Sequence, residues 1–367
     1  MLKSGAKIAV VYLLWSNEPR AYLERALLAM EKQTYPKELI EFLIIYNSHK
    51  PDELSQCSYI REAVAQHSNT LPHTTIIEQE KNLGFSGGNN FGMKWAVENG
   101  FDYVFLHNGD GYLHEQCLEK LVLAMENDKK IGAAQSLVLL YPETHLINTA
   151  GNCSHYLGLG FCDAYRQPAK SVLQAVKDVG YASGAAIMMR ADLLKQYGLW
   201  DEDFFMYHED LDYSWRLKML GYRVVLVPQS IFYHEYEFSK GMSKYFWMER
   251  NRFAVLLMYY KWPTLFLILP MMLALEIGLW FFAIKSGWGR ERANVYKYWL
   301  KPSSWKLWLA KRRVIQKNRK IPDRDLLKTM AATVNFSEKA VESPVLKYMG
   351  NPVMRIYYLF LRAVVRW

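Results

Sequence analysis

Apolar residues in the first third of the chain gather in short runs, separated by stretches with a helical repeat. Residues 7–14, 39–46, 74–78, 103–106 and 131–140 read as strands, and residues 22–33, 87–99 and 114–127 as helices. Such alternation predicts a mostly parallel sheet covered on both faces. The rhythm is lost over residues 140–174, where Gly, Asn and aromatic residues predict loops with short strands. Strand character resumes over 181–189, followed by a short helix over 191–197 that Gly198 ends. A helix over 209–220 carries its apolar stripe at Leu211, Trp215 and Met219, and Gly221 closes it. A last strand begins at 224–227 and closes at His234.

Beyond about residue 240 the texture changes. Residues 244–261 are aromatic and helical, and Pro263 is placed to start a second helix. Residues 264–284 are mostly Leu, Ile, Phe, Met and Trp, interrupted by Pro270 and Glu276. That length matches the ~30 Å apolar core of a bilayer. Burying Glu276 in lipid costs roughly 2.5–3.5 kcal/mol, and Pro270 kinks a helix. An interfacial or re-entrant helix is the preferred reading, with a true span and a buried soluble helix as the alternatives. The chain divides accordingly into an α/β unit, 1–242, and a helical, apolar and basic membrane-associated region, 243–367.

With 367 residues, 51% of them hydrophobic, the chain can bury a full core. Its net charge of +9 is uneven. Residues 285–320 hold twelve Lys or Arg against Glu291 alone, a local +11 that leaves −2 for the rest. Beside the most apolar stretch, such a cluster favours an anionic membrane surface over nucleic acid as partner. Positive residues follow that stretch without a matching cluster before it, which puts this flank on the cytoplasmic face of the membrane, as a peripheral or single-segment anchor. Cys57, Cys117, Cys153 and Cys162 are scattered without a C-x-x-C pair. They argue against a disulfide framework or zinc site and fit a reducing cytosol. The first apolar run is too short, and too soon broken by Asn17 and Pro19, for a signal peptide.

Four short runs carry candidate chemistry. Asn82-Leu83-Gly84-Phe85-Ser86-Gly87-Gly88-Asn89-Asn90 lies between a strand and a helix. Its glycines and the helix N-terminus suit a phosphate, although an ordinary strand-to-helix turn has the same look. Asn108-Gly109-Asp110 follows an apolar strand, where open parallel sheets bind ligands, and a hard carboxylate there suits Mg²⁺ or Mn²⁺ on a diphosphate. These are also favoured turn residues, and the two roles are compatible. His208, Glu209, Asp210 and Asp212 crowd a helix start, where the dipole keeps a carboxylate ionised and able to accept a proton. Asp212 reads as a helix cap with a surface pair to Arg216, whereas Asp210 reads as a base with Glu209 as its understudy. His234, at another strand end, is a structural residue or a metal ligand.

Taken in order, these runs, together with Gly198-Leu199-Trp200-Asp201-Glu202-Asp203-Phe204-Phe205-Met206-Tyr207 and Gly221-Tyr222-Arg223-Val224, resemble the inverting glycosyltransferases of family 2, and most of all their bacterial rhamnosyltransferase-like and galactofuranosyltransferase-like members. The resemblance covers roughly residues 8–252 and extends loosely through 315–327. It implies a GT-A fold, a Rossmann-like mixed sheet, with a nucleoside-diphosphate-sugar donor such as dTDP-rhamnose or a UDP-sugar. It also implies a divalent cation, Mg²⁺ or Mn²⁺, and a glycan or polyprenyl-linked glycan acceptor of cell-surface polysaccharide synthesis. By the same carry-over Asn108 and Asp110 fill the D-x-D position, His234 approaches the metal, and Asp210 is the general base. Asn82, Gly84 and Gly87 lie along the donor, and Trp200 and His208 fall to the acceptor. The family's second strand commonly ends in an aspartate that contacts the nucleobase. Tyr46 stands there in this chain, leaving Asn47 or Tyr46 to read the base. That departure and Asn108 are the only support for the rival reading, a non-catalytic membrane-bound protein that binds nucleotide-sugars or glycans.

Overall fold

The computed structural model describes residues 5–15, 18–47, 54–235, 244–335 and 344–367. Strands β1 (Ile8–Leu14), β2 (Ile40–Tyr46), β3 (His73–Glu78) and β4 (Tyr103–Asn108) run parallel, connected by helices α1 (Arg20–Glu31), α2 (Leu54–Gln66) and α3 (Gly84–Glu98). Their register sets Leu14 beside Tyr46, Tyr46 beside Glu78 and Leu13 beside Asn108. All four carboxyl ends therefore open at one edge, where ligands of open α/β sheets bind.

The chain continues through β5 (Gly111–Leu113), α4 (Cys117–Asn127), β6 (Ile131–Leu140), β7 (Ile147–Thr149) and a hairpin of β8 (Asn152–Ser154) with β9 (Gly160–Cys162). Next come β10 (Lys177–Asp178), β11 (Ala186–Arg190), α5 (Ala191–Tyr197), α6 (Glu209–Met219) and β12 (Arg223–His234). The main sheet is ordered β10-β12-β6-β11-β4-β1-β2-β3, with β5 on β12 and β7 on β6. It is mixed, as the resemblance implied, and not mostly parallel as the strand–helix alternation alone suggested, because β11 runs against both β4 and β6 and β5, β7 and β10 are also antiparallel. A strand buried on both faces is apolar throughout whichever way it runs, so its direction leaves no trace in the pattern. Alternate residues of β1 feed two cores: Ile8, Val10 and Tyr12 face α1 and α4, and Ala9, Val11 and Leu13 face α3 and α5. Helix α2, absent from the sequence reading, buries Cys57, Ile60 and Ala63, with Tyr59 and Val64 packed beside them.

Among the described residues, helices α7 (Lys244–Tyr259), α8 (Trp262–Lys285), α9 (Gly289–Trp299), α10 (Pro302–Asn318), α11 (Asp323–Lys328) and α12 (Asn351–Val364) follow, the last entered through a π-helical turn over Leu346–Gly350. The expected domain boundary at 242/243 lies outside the described residues. Across it runs a third core in which Phe204, Leu211 and Trp215 pack with Val255, Tyr259 and Trp308. The C-terminal helices thus close directly over α6 and the loop before it. Four of the twelve basic residues counted above turn inward: Arg292 to Glu249 and Glu276, Lys311 to Asp201 and Asp203, Arg312 to backbone carbonyls and Arg319 to Asp323. The other eight are exposed.

Candidate active site

The turn after β4 brings Asp110 against the end of β12, where Gly111 and His234 are direct cross-strand partners. His234 Nε2 stands 2.7 Å from Asp110 Oδ1, and Asn108 Nδ2 donates to the same oxygen at 2.6 Å. The far side of the imidazole is fixed by Asn148, with Nδ1 2.9 Å from Asn148 Oδ1. Asn108 Nδ2 also lies 3.1 Å from His234 Nε2, so the amide, the carboxylate and the imidazole meet at one point. Among the described residues no group of three or more His, Cys, Asp or Glu converges as a metal cage. Asp110 and His234 make a half-site of one hard oxygen and one imidazole nitrogen. It fits a Mg²⁺ or Mn²⁺ whose remaining ligands come from a diphosphate and water.

A second arm carries the carboxylates. Asp210 accepts hydrogen bonds from Gly184 N (3.0 Å) and Leu211 N (2.8 Å), while burial lifts its pKa to about 6. Glu209 is more deeply buried, its Oε2 has no hydrogen-bond partner, and desolvation together with the charge of Asp210 raises it well above the usual carboxylate range. Burial thus pushes both carboxyls toward the protonated form, Glu209 further than Asp210, and the pair opens on a small cleft beside Gly160, Tyr181, Tyr207 and Met248. The 183–185 turn links the two arms: Gly184 N binds Asp210, and Ala185 O accepts from Asn108 N at 3.1 Å.

Several expected contacts fall elsewhere. The amides at the start of α3 are not free for a phosphate. Phe85 N and Ser86 N donate to Phe205 O (2.8 and 3.1 Å), Gly84 N to Asn82 Oδ1 (2.8 Å) and Leu83 N to Asn47 Oδ1 (3.0 Å). Asn47 also donates to Asn82 Oδ1 and Gly84 O, both at 3.1 Å, so its side chain locks this loop from within. Gly84 needs its freedom: its φ is +73°, and a Cβ would stand 2.5 Å from the Phe205 ring. Gly87 is packed as tightly, with a Cβ there 2.8 Å from Leu83. Trp200, 2% exposed, is buried beneath Gly184 and Phe85 and supports the turn that binds Asp210 rather than facing open space. His208 donates Nε2–H to Gly158 O (3.0 Å), and burial lowers its pKa to about 4, so it is neutral. Asp212, read as half of a surface pair, is buried and held by Arg216 (2.7 Å) and Tyr259 OH (2.7 Å). Tyr46 is buried as well and lines a recess with Trp15, Arg20 and Tyr59.

The loop before Glu209 is strained, with Phe205, Tyr207 and His208 all in the left-handed region (φ 62°, 63° and 70°). Helix α7 holds it there. Asn251 Nδ2 donates to the carbonyls of Phe204 (3.1 Å), Met206 (2.9 Å) and Tyr207 (2.6 Å). Arg250 binds the carbonyls of Asp203 and Phe204, and Trp247 stacks on Phe205 at 4.7 Å. None of these residues was singled out in the sequence. The available signal was Glu249-Arg250-Asn251-Arg252, four polar residues in an aromatic helix, all of them buried.

The mixed sheet has a GT-A-like fold, with the Asn108–Asp110–His234 arm and the buried Glu209–Asp210 pair on either side of the 183–185 turn. The sequence model of "Glycosyltransferase like family 2" matches residues 7–254, and the chain belongs to that family. It is 36% identical over 78 residues to an N-acetylglucosaminyl-diphospho-decaprenol L-rhamnosyltransferase of Mycobacterium tuberculosis, covering 21% of this chain and 25% of that protein. It is 22% identical over 264 residues to the probable glycosyltransferase YdaM of Bacillus subtilis, covering 69% and 56%. The chain thus spans between a quarter and just over half the length of these curated relatives. In fold it is similar to GalNAc-T7, solved with UDP, GalNAc and Mn²⁺, at a TM-score of 0.51 and 16% identity over 64% of this chain and 44% of that one.

Proposed function

We propose that the chain is a metal-dependent, inverting glycosyltransferase that moves a sugar from a nucleoside-diphosphate-sugar, dTDP-rhamnose or a UDP-sugar, to a glycan or lipid-linked glycan at the cytoplasmic face of a membrane. The observation that carries this reading is the pairing of the Asn108–Asp110–His234 arm with Asp210 across one short turn. Inversion needs a single base opposite the leaving group. Asp210, deprotonated and made more basic by burial, takes the proton of the acceptor hydroxyl as that oxygen bonds to the anomeric carbon and the bond to the diphosphate breaks. Asp110 and His234 would hold the cation, which when bound draws charge from the departing diphosphate. Burial and the charge of Asp210 favour the neutral form of Glu209, which limits negative charge beside the base.

The relative's lipid-linked substrate and the apolar helix α8 support a membrane-borne acceptor. The test is thermal stabilisation of the full chain by dTDP-, UDP- and GDP-sugars, with and without Mn²⁺. One donor class should stabilise the parent only when metal is present, and Asp110→Ala should lose that metal response. Equal stabilisation with and without metal would move the metal assignment elsewhere.

A further inference from the structure

Helix α8 is long and apolar enough to cross a membrane, yet it is tied to the protein at two points. Near its start, Thr264 donates to Asp323 Oδ2 (2.5 Å), and Asp323 is paired with Arg319 (2.6 Å). Further along, Glu276 meets Arg252 of α7 and both Arg292 and Tyr296 of α9, while Glu249 closes a neutral quartet with the same arginines (2.9 and 3.0 Å). Pulling α8 away to span a bilayer would leave two buried guanidinium groups sharing Glu249 alone and carry an unpaired carboxylate into lipid. The opposite face carries no charge. Phe266, Leu273, Ile277, Phe281 and Ile284 stand along it at helical spacing, from 55% to 74% exposed.

Helix α12 repeats the design. Met354, Tyr358 and Leu361 pack inward, while Val353, Ile356, Leu359 and Phe360 face out at 47% to 70% exposure. The two helices are tied by Tyr357 OH to Leu267 O (2.5 Å) and Trp367 Nε1 to Thr264 Oγ1 (2.9 Å). Exposed Lys285, Arg290 and Lys297 follow α8 directly, and Arg355 and Arg366 lie on or beside α12. Trp262 is half-exposed at the start of α8, the amphipathic kind of residue favoured at a membrane–water boundary.

We propose that the outward faces of α8 and α12 form one monotopic docking surface for an anionic bilayer, with α8 in the plane of the interface rather than across it. The surface identifies the partner implied by the membrane-borne acceptor of the reading above, and in that respect rests on it. Apolar burial supplies a salt-insensitive part of the binding, and the neighbouring Lys and Arg a salt-sensitive part. Arg252, which grips Glu276, follows Asn251, which grips the loop before Glu209, so the docked face and the cleft belong to one rigid unit.

The experiment uses the full chain and vesicles of phosphatidylglycerol and phosphatidylcholine. With Cys153 and Cys162 replaced by Ser, single cysteines at Phe266, Leu273 and Phe281 carry an environment-sensitive fluorophore, and brominated lipids report depth. The expected result is a similar shallow depth at all three positions. The double variant Ile277→Asp/Phe281→Asp should lower vesicle partition by roughly a hundredfold or more, from two large side chains no longer buried, with an unchanged melting temperature. Depths that progress from one leaflet to the other would make α8 a span and overturn the proposal. So would a parent that fails to float and whose self-association in lipid-free solution is abolished by the double variant, which would assign the face to a second copy of the chain. A chain that binds vesicles as expected but transfers no sugar leaves the docking surface standing and refutes the transfer reading alone.

Discussion

Asn251→Ala removes the one side chain that holds three consecutive parts of the loop before the catalytic pair. Its amide donates to Phe204, Met206 and Tyr207, and its oxygen accepts from Arg250 Nε at 2.7 Å. Leaving a buried carbonyl unpaired costs about 1–3 kcal/mol. Each left-handed non-glycine residue costs roughly 1–3 kcal/mol that the surroundings must hold in place. With Phe205, Tyr207 and His208 all in that region, the released strain offsets much of the lost bonding, and the loop relaxes instead of the whole fold giving way. The expected loss of global stability is therefore about 1–2 kcal/mol, a fall in melting temperature of a few degrees. Turnover should drop far more, on the order of 10²-fold, because a displacement of about 1 Å at a reacting group has that effect. Donor KM and its response to Mn²⁺ should hold, since Asp110 lies in the β4–β5 turn and His234 on β12, and none of the hydrogen bonds lost with Asn251 is theirs. Steady-state kinetics and a melting curve on the same preparation separate the two effects. Turnover within twofold of the parent, or a donor KM that rises in step with the loss of turnover, would refute the reasoning.

Activity should rise with pH through about 6, because Asp210 must lose its proton to act, and kcat/KM measured from pH 5 to 8 should show one such limb belonging to the Glu209–Asp210 pair. A flat profile, or one that falls with pH over this range, would remove Asp210 as the base. Stability should also depend on acid. Burial lowers His107 and His208 to about 4 and His155 to about 3, so between pH 6.5 and 4 the unfolded chain binds protons that the native chain refuses, and the stability they contribute above 6.5 is lost as pH falls. Asp210, Glu209 and Asp201, all raised by burial, act in the opposite sense and offset part of that loss, so stability should still fall between pH 6 and pH 5. Urea unfolding at pH 6 and pH 5 checks this, and equal midpoints would contradict it.

Much of the site could be read before the structure. Asp110 at the carboxyl end of an apolar strand, and His234 closing another, needed only strand periodicity and the rule for open sheets, and β12 then brought them within hydrogen-bonding distance. Strand 131–140 and helix 191–197 carry clean boundaries and match residue for residue. What escaped depends on long-range contacts. Nothing near Phe85 reveals that a carbonyl more than a hundred residues on takes its amide, so a glycine-rich turn looked open when it was filled. Trp200 was given to the acceptor by the resemblance alone, and an aromatic ring is equally suited to the surface and the core, where the structure puts it. Glu276 looked like a defect in an apolar helix until Arg252 and Arg292, from two other helices, were found around it. Pattern reports a residue's own preference and cannot report its partner.

The central claim is that Asp210 takes the acceptor's proton while the Asp110 side of the cleft holds the donor. Asp210→Asn tests it most directly, with turnover and donor affinity measured on the same protein. Asparagine keeps the size of the side chain and an acceptor for one of the two amides, and removes the basic oxygen. The account predicts turnover lower by on the order of 10²–10⁴-fold, with metal-dependent donor affinity within a few-fold of the parent. Turnover within a few-fold of the parent would contradict it and move the base elsewhere, with Glu209 the first candidate.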